Sequence, residues 1–170
     1  MLYFDIRGLE AQAESVDGIL SATDPVWEAD DVRPLRDGVH VSGRLSGAGH
    51  SRFYFTGVLE GMAATECRRC LVPVEVGVCE DVTLLFAEAG LDDADEDDVV
   101  LIPAGARELD MRSAVREEWL VAAPAFALCR EDCKGLCPTC GIDRNTGTCA
   151  CVPDSDARWD GLRDARISES

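Results

Sequence analysis

The chain has 170 residues, the length of about one domain, and its 46% apolar and 29% charged residues are typical of a globular protein. It carries 33 acidic against 16 basic side chains, a formal net charge of −17, together with nine cysteines. This charge excludes a protein that binds nucleic acid through an overall basic surface, because phosphate binding requires a cationic face.

The first two-thirds of the chain has the alternating apolar pattern of β-strands. Short strands are predicted at residues 2–6, 39–45 and 52–61, with further runs from Met62 to Cys67 and from Val74 to Phe86. Gly-Ala-Gly at residues 47–49 predicts a turn between two of them. Connections this short favour antiparallel neighbours.

Beyond residue 90 the pattern changes. Residues 91–98 hold six carboxylates and predict a solvated loop, because like charges repel one another. After a short apolar run at 99–102, a helix is predicted over about 110–123, with Asp110 as N-cap and Pro124 as the stop. Its apolar stripe suits packing against the sheet. The expected fold class is therefore α+β: a mainly antiparallel sheet, one main amphipathic helix and a C-terminal cysteine-rich zinc-binding segment.

Three regions are expected along the chain. Residues 1–128 form a β-rich domain with the helix, residues 129–153 a cysteine-rich zinc segment packed on it, and residues 154–170 a short helix and tail. The cysteine-rich segment is small, polar and rich in turns, so it cannot build an apolar core of its own. A metal is the expected substitute for that core.

The strongest motif is Cys137-Pro-Thr-Cys140-Gly, followed by Cys149-Ala-Cys151. Two thiolates two residues apart are typical of half a structural zinc site, and a turn at Asn145 to Gly147 can bring the second pair back to the first. Four thiolates suit tetrahedral Zn²⁺ better than harder metals. We expect a structural zinc ion here, with an iron–sulfur cluster or free thiols as alternatives.

Two further pairs are Cys67-Arg-Arg-Cys70 at a strand end and Cys129-Arg-Glu-Asp-Cys133 after the helix. Joining them gives a second zinc site that ties the sheet to the helix end. Cys79 is left over and is expected to be a small core residue. A rival grouping combines Cys133, Cys137 and Cys140 with one later cysteine, and spacing alone leaves both groupings open.

Other features point away from an enzyme. No phosphate loop, His-Glu-x-x-His or Gly-x-Ser-x-Gly motif is present, and His40 and His50 fall in or beside strands without a catalytic companion. Cys67 and Cys70 lack the βαβ context of a thioredoxin-type pair. With no apolar run of 18 residues and an N-terminus that is acidic by Asp5, we expect a cytoplasmic protein that neither spans a membrane nor turns over a small-molecule substrate.

The cysteine motifs resemble those of the YceD family, the large ribosomal RNA subunit accumulation proteins. The resemblance rests on Cys67-x-Arg-Cys70-Leu, the acidic loop, the helix ending at Pro124 and Leu128-Cys-x-x-x-Cys-Lys-Gly-Leu-Cys-Pro-x-Cys-Gly141. Residues 142–145, Ile-Asp-Arg-Asn, depart from the family's usual Asn-Leu-Asn, and 156–158, Asp-Ala-Arg, from its Asp-Pro-Arg.

The resemblance implies a ribosome-biogenesis factor that is not an enzyme and that supports accumulation of 23S ribosomal RNA and large-subunit assembly. Its partner would be a basic large-subunit ribosomal protein, a 23S rRNA-containing assembly intermediate, or both. A local RNA contact is expected at the basic residues around the cysteines, which are Arg68, Arg69, Arg130, Lys134 and Arg144. The alternative is a redox-sensitive zinc protein, a thiol-switch chaperone or oxidoreductase. The acidity suits a basic partner, but solubility or adaptation to salt accounts for it as well.

Overall fold

A computed structural model describes residues 2–29, 31–90, 99–152 and 158. In chain order its elements are β1 (Tyr3–Asp5), α1 (Ile6–Ala11), β2 (Glu14–Leu20), β3 (Pro34–Gly49), β4 (Arg52–Glu66), β5 (Pro73–Glu88), β6 (Val99–Ile102), β7 (Glu108–Asp110) and α2 (Arg112–Ala122). Strands β2 to β6 form one sheet in sequence order, and β1 pairs with β7 in a separate ribbon. The described chain is thus mostly strand, as the alternating pattern predicts.

The long strands β3, β4 and β5 form an antiparallel meander, which confirms the predicted strands at 39–45, 52–61 and 74–86. The further run predicted from Met62 continues β4 rather than forming a separate strand. The predicted turn at residues 47–49 is wrong. Strand pairing continues as far as Gly49 and Arg52, which leaves only His50 and Ser51 to make the turn. Both have left-handed φ angles, 53° and 55°, as a two-residue type I′ hairpin turn requires.

The edge strand β6 is parallel to β5, with Leu85 opposite Val99, so antiparallel pairing does not extend to the whole sheet. The direction of a pair depends on how the intervening chain returns, and strand periodicity carries no information about that. The predicted acidic loop at 91–98 lies outside the described residues, as does nearly all of the predicted helix and tail at 154–170.

The predicted N-terminal strand over residues 2–6 is shorter in the structure and gives way to the helix α1, which the sequence pattern did not indicate. Asp5 starts α1, since its Oδ1 accepts a hydrogen bond of 2.9 Å from the amide of Arg7. Leu9 is the residue of α1 that is buried against the sheet. The fold therefore has two described helices rather than one.

Helix α2 confirms the predicted main helix with a slightly later start. Asp110 accepts the amide of Arg112 at 3.0 Å, although Met111 occupies the N-cap position. The helix ends just before Pro124, whose ring disfavours helical backbone at the preceding residue. Neither described helix has the length and apolar composition that a membrane span requires.

One face of α2 packs on the sheet, where Trp119 is fully buried and donates its indole N–H to the carbonyl of Val32 at 2.8 Å. The loop between β2 and β3, which contains Val32, is held on the same side of the helix. Arg116 donates to Asp31 through both Nε and Nη2, at 2.7 and 2.9 Å. These contacts fix α2 over the sheet.

The prediction that Cys79 is a core residue is wrong. Its side chain is exposed, and its Sγ lies 3.8 Å from Oε1 of Glu60 on the neighbouring strand. Side chains alternate between the two faces of a strand. On β5 the buried Val78 and Val82 are on the core face, so Cys79 falls on the solvent face.

Candidate metal centres

Eight of the nine cysteines lie in two groups of four. Within each group the Sγ atoms all lie within 4.8 Å of one another. The first group is Cys67, Cys70, Cys129 and Cys133, and the second is Cys137, Cys140, Cys149 and Cys151. The structure therefore brings together the same fours that the favoured pairing of motifs expects, and does not form the rival grouping around Cys133, Cys137 and Cys140.

The first group begins in the loop that joins β4 to β5. The amide of Cys67 donates to the carbonyl of Val72 at 2.9 Å, and the amide of Leu71 donates back to the carbonyl of Cys67 at 2.8 Å. Leu71 has a left-handed φ of 60°, which turns the chain beneath the thiols. This loop joins antiparallel strands, unlike the strand-to-helix position of a thioredoxin-type pair.

The second group contains the same local structure. The amide of Cys137 donates to the carbonyl of Ile142, and the amide of Gly141 donates to the carbonyl of Cys137, each at 2.8 Å. Gly141 has a φ of 73° and so takes the place that Leu71 has in the first loop. Two segments of different sequence thus adopt one Cys-x-x-Cys turn, the local shape in which both thiols face one point.

The segment after α2 docks on the first of these turns through its backbone. The amide of Arg68 donates to the carbonyl of Ala127 at 2.9 Å, and the amide of Leu136 donates to the carbonyl of Arg69 at 2.8 Å. The guanidinium of Arg69 also donates to the carbonyl of Cys133 at 2.9 Å. These bonds bring Cys129 and Cys133 to the sheet end.

The distances in the first group fit a four-coordinate metal. Cys67 Sγ lies 3.8 Å from Cys133 Sγ, and Cys70 Sγ lies 3.6 Å from Cys129 Sγ. Tetrahedral zinc with Zn–S bonds of about 2.3 Å requires sulfur atoms about 3.8 Å apart. A disulfide would require about 2.05 Å. Four sulfur donors at these separations suit Zn²⁺.

Backbone amides point at one thiol of each turn and favour its thiolate. Burial raises the pKa of Cys67, but amide N–H groups including those of Arg69 and Cys70 donate to its sulfur and bring the pKa down to about 6. The amides of Cys140 and Thr139 likewise lower the pKa of Cys137 to about 6. Such donors stabilise the anionic sulfur that a metal binds.

Other thiols in the two groups have raised pKa values. Burial and the neighbouring sulfurs raise the pKa of Cys129 to about 12, and its neighbours, Cys140 first, raise that of Cys151 to about 12. Four thiols this close cannot all ionise unless a cation offsets the charge. The crowding therefore supplies the electrostatic reason for a metal in each group.

The two groups differ in their exposure to solvent. Three cysteines of the first group are buried, and they pack with Val74, Leu128 and Leu136 in a small apolar cluster. In the second group Cys137 is the one buried member, so this group lies closer to the solvent.

The comparison with protein families decides where the chain belongs. The family model described as "Large ribosomal RNA subunit accumulation protein YceD" matches residues 55–164, more than half of the chain and all eight grouped cysteines. The chain belongs to the YceD family. No solved structure was found to match it.

Two relatives align with this chain over part of their own length. A maize protein named "Large ribosomal RNA subunit accumulation protein YCED homolog 1, chloroplastic" is 25% identical over 88% of this chain and 59% of its own length. An uncharacterized protein of Mycobacterium tuberculosis is 34% identical over 51% of this chain and 42% of its own length. The chain thus aligns with less than two-thirds of the length of either relative.

One residue of this YceD chain, Asn145, contacts the first cysteine group although the sequence does not predict that contact. The sequence indicates only a turn at this point, yet the side chain reaches the first group and lies 3.5 Å from Cys133 Sγ. No local signal predicts this contact, because the loop belongs to the second group along the chain and meets the first only in the folded protein.

The five basic residues expected to contact RNA are not equivalent in the structure. Arg68 lies over the ring of Phe126, and the guanidiniums of Arg69 and Arg130 bind neighbouring backbone and side-chain groups. Within the described ranges Lys134 and Arg144 have no ion-pair partner, and both line a cleft of about 370 Å³ beside the second group. Among the residues that the structure describes, no carboxylate lines this cleft, and Cys137, Cys149 and Cys151 form part of its wall.

Proposed function

We propose that this protein is a non-enzymatic assembly factor that supports accumulation of 23S ribosomal RNA and formation of the large ribosomal subunit in the cytoplasm. Membership of the YceD family carries the proposal, since the family is described by ribosomal RNA accumulation. The maize relative bears the same description in its name. A reducing compartment suits eight grouped thiols that serve as ligands.

The proposal assigns the two cysteine groups a structural role. Each group would hold one Zn²⁺: Cys67, Cys70, Cys129 and Cys133 at the first centre, and Cys137, Cys140, Cys149 and Cys151 at the second. The bound metal would supply folding free energy to a segment with few apolar side chains. Residues 129–153 are then a zinc-stapled unit held on the sheet domain of residues 1–128.

Within this unit the cleft beside the second group is the proposed contact for RNA phosphate. Lys134 and Arg144 have no ion-pair partner among the described residues and could bind an anion, and Thr139 and Thr148 add hydroxyl groups to the same wall. Elsewhere the net charge of −17 disfavours RNA, so a contact has to be local. The acidic surface is suited instead to a basic ribosomal protein on the same assembly intermediate.

The test compares two double charge reversals with equal changes in net charge. Lys134→Glu with Arg144→Glu alters the cleft, whereas Arg36→Glu with Arg107→Glu alters exposed arginines elsewhere. Binding to 23S rRNA-containing precursor particles is measured over a range of salt concentrations. We expect the cleft variant to bind more weakly. The slope of its log affinity against log salt concentration should fall by the equivalent of about two phosphate contacts.

Both variants are also tested for restoring the ratio of 23S to 16S rRNA in cells that lack the chain's own gene. The cleft variant is expected to fail and the control to succeed. Equal loss of binding in both variants would assign the effect to net charge rather than to the cleft. Full restoration by the cleft variant would refute the RNA contact, and normal 23S rRNA in cells without the gene would refute the proposed function.

A further inference from the structure

Asn145 belongs to the second cysteine group by sequence but contacts the first group in space. It lies between Cys140 and Cys149, in the loop that joins the two ligand pairs of the second group. Its Nδ2 lies 3.5 Å from Sγ of Cys133, and its Oδ1 accepts the backbone amide of Lys134 at 2.8 Å. One side chain thereby connects the two groups.

The orientation of this amide is determined by its neighbours. Oδ1 faces two donors, the amide of Lys134 and Nη2 of Arg130, the latter at 2.9 Å. Nδ2 faces an acceptor, Oδ1 of Asp143, at 2.7 Å. A reversed amide would place donors against donors, so the N–H group must be the one that points to the sulfur of Cys133.

The loop that carries Asn145 is held to the segment between the two groups. The amide of Arg144 donates to the carbonyl of Gly135 at 2.9 Å, and Leu136 forms an antiparallel bridge with Asp143. The loop itself is closed by the amide of Gly147, which donates to the carbonyl of Asp143 at 2.9 Å. Whatever orders this loop therefore also places Asn145 against the first group.

We infer that Asn145 is a positioning residue that couples the two metal centres, so that metal bound by the second group strengthens metal binding by the first. This inference rests on the proposal that both groups bind zinc. Metal at Cys137, Cys140, Cys149 and Cys151 orders the loop. The ordered loop holds an N–H donor on the Cys133 sulfur, which stabilises the thiolate that binds the metal and fixes its orientation. By linkage, metal in the first group strengthens binding by the second equally.

The test is a double-mutant cycle on the zinc affinity of the first centre, measured in the full chain by competition with a chromophoric chelator. One arm is Asn145→Ala, and the other is Cys149→Ser with Cys151→Ser, which removes the second centre. Each alone is expected to lower the affinity of the first centre about tenfold, the scale of outer-shell contacts. Combined, they are expected to lower it no further, because both remove the same contact.

Two more variants separate the hydrogen bond from general damage to the loop. Asn145→Asp keeps the acceptor for Lys134 and Arg130 but lacks the N–H donor, so it is expected to weaken the first centre as Asn145→Ala does. Thr146→Ala changes an exposed neighbour and is expected to leave the affinity unchanged. In the cobalt-loaded protein, the sulfur-to-metal charge-transfer bands of the first centre should shift in the two Asn145 variants only.

The possible results separate failure of the coupling from failure of the proposed zinc centres. Native mass spectrometry that finds fewer than two zinc ions in the unaltered chain would refute the pair of centres, and the coupling with it. Two zinc ions together with losses that multiply in the combined variant would leave the centres in place and overturn the coupling. Unchanged affinity in Asn145→Ala would also overturn it.

Discussion

At the scale of single residues, Gly135 shows how closely the cysteine-rich segment approaches the sheet. Its φ of 69° lies in the left-handed region, and a Cβ added there would lie 2.7 Å from the carbonyl oxygen of Arg69. That oxygen already accepts the amide of Leu136. A side chain at Gly135 would therefore push the segment after Cys133 away from the β4–β5 loop at Arg69.

Gly135→Ala is expected to destabilise the zinc-loaded protein more than Gly141→Ala. Gly141 has a similar φ of 73° but no heavy atom within 4 Å of an added Cβ, so the control isolates the contact from the backbone strain. Left-handed alanine costs about 1 kcal/mol in either variant. The contact with Arg69 adds about 1–3 kcal/mol at Gly135 only. Denaturant unfolding measures both, and equal losses would contradict the close approach.

Single residues also show which features of the site can be predicted from the sequence and which cannot. The spacing of Cys137 and Cys140 predicts a turn suited to a metal, because both thiols must converge within a few residues. The contact of Asn145 with Cys133 is invisible, because it depends on where two loops meet. The left-handed Leu71 is equally hidden, since nothing in the sequence separates it from an ordinary strand leucine.

At the scale of elements, His40 joins three neighbouring strands on the exposed face of the sheet. Its Nε2 lies 2.9 Å from Oδ1 of Asp17 on β2, and its Nδ1 lies 3.7 Å from Oε2 of Glu60 on β4. The hydrogen bond to Asp17 is the main cause that raises the pKa of His40 above its ordinary 6.5, and burial acts in the opposite direction. The folded protein therefore favours protonated His40.

This preference sets the direction of a pH effect. A group whose pKa is raised by folding stabilises the protein fully below its unfolded pKa of 6.5, and this stabilisation is lost as pH rises through the folded pKa. We expect the stability advantage of the unaltered protein over His40→Gln to decline as the pH rises above 6.5. Thermal unfolding at each pH measures it, and the effect should weaken in high salt.

Asp17→Asn is the matched control for this experiment. It keeps the shape of the Asp17 side chain but removes the charge, so most of the pH-dependent difference should disappear. An advantage that stays constant over the whole pH range would contradict the ion-paired state of His40. The same outcome would show that the cross-strand contact stabilises the sheet through packing alone.

The elements predicted best are those whose signal is local. Strands β3, β4 and β5 follow from period-two alternation, and α2 follows from its apolar stripe and Pro124. Helix α1 was missed because six residues carry too little periodicity. The parallel direction of β6 and the turn at His50 were missed because strand pairing sets them, not the residues themselves.

At the scale of the whole molecule, the described chain has two separate apolar clusters. The large one lies between the sheet and α2 and includes Phe53, Phe55 and Trp119. The small one surrounds the first cysteine group. Because they share no residue, the sheet core is complete without the cysteine-rich segment, whereas that segment depends on its thiols. This division favours the proposed arrangement of a β-rich domain carrying a zinc-stapled unit.

Removing zinc with a chelator is therefore expected to unfold residues 129–152 and leave the five-stranded sheet intact. The segment lacks apolar side chains for a core, so metal binding supplies its folding free energy. After chelation the backbone hydrogen bonds donated by the amides of Leu136, Cys137 and Gly141 should open. Hydrogen exchange measured by mass spectrometry should then be at least about tenfold faster at these three amides. The amides of Phe55 and Leu59 in the central strand β4 should stay protected.

Cys79→Ser, which alters the one cysteine outside both groups, should respond to chelation as the unaltered protein does. Loss of protection in β4 at the same chelator concentration would show that the zinc centres and the sheet fold as one unit.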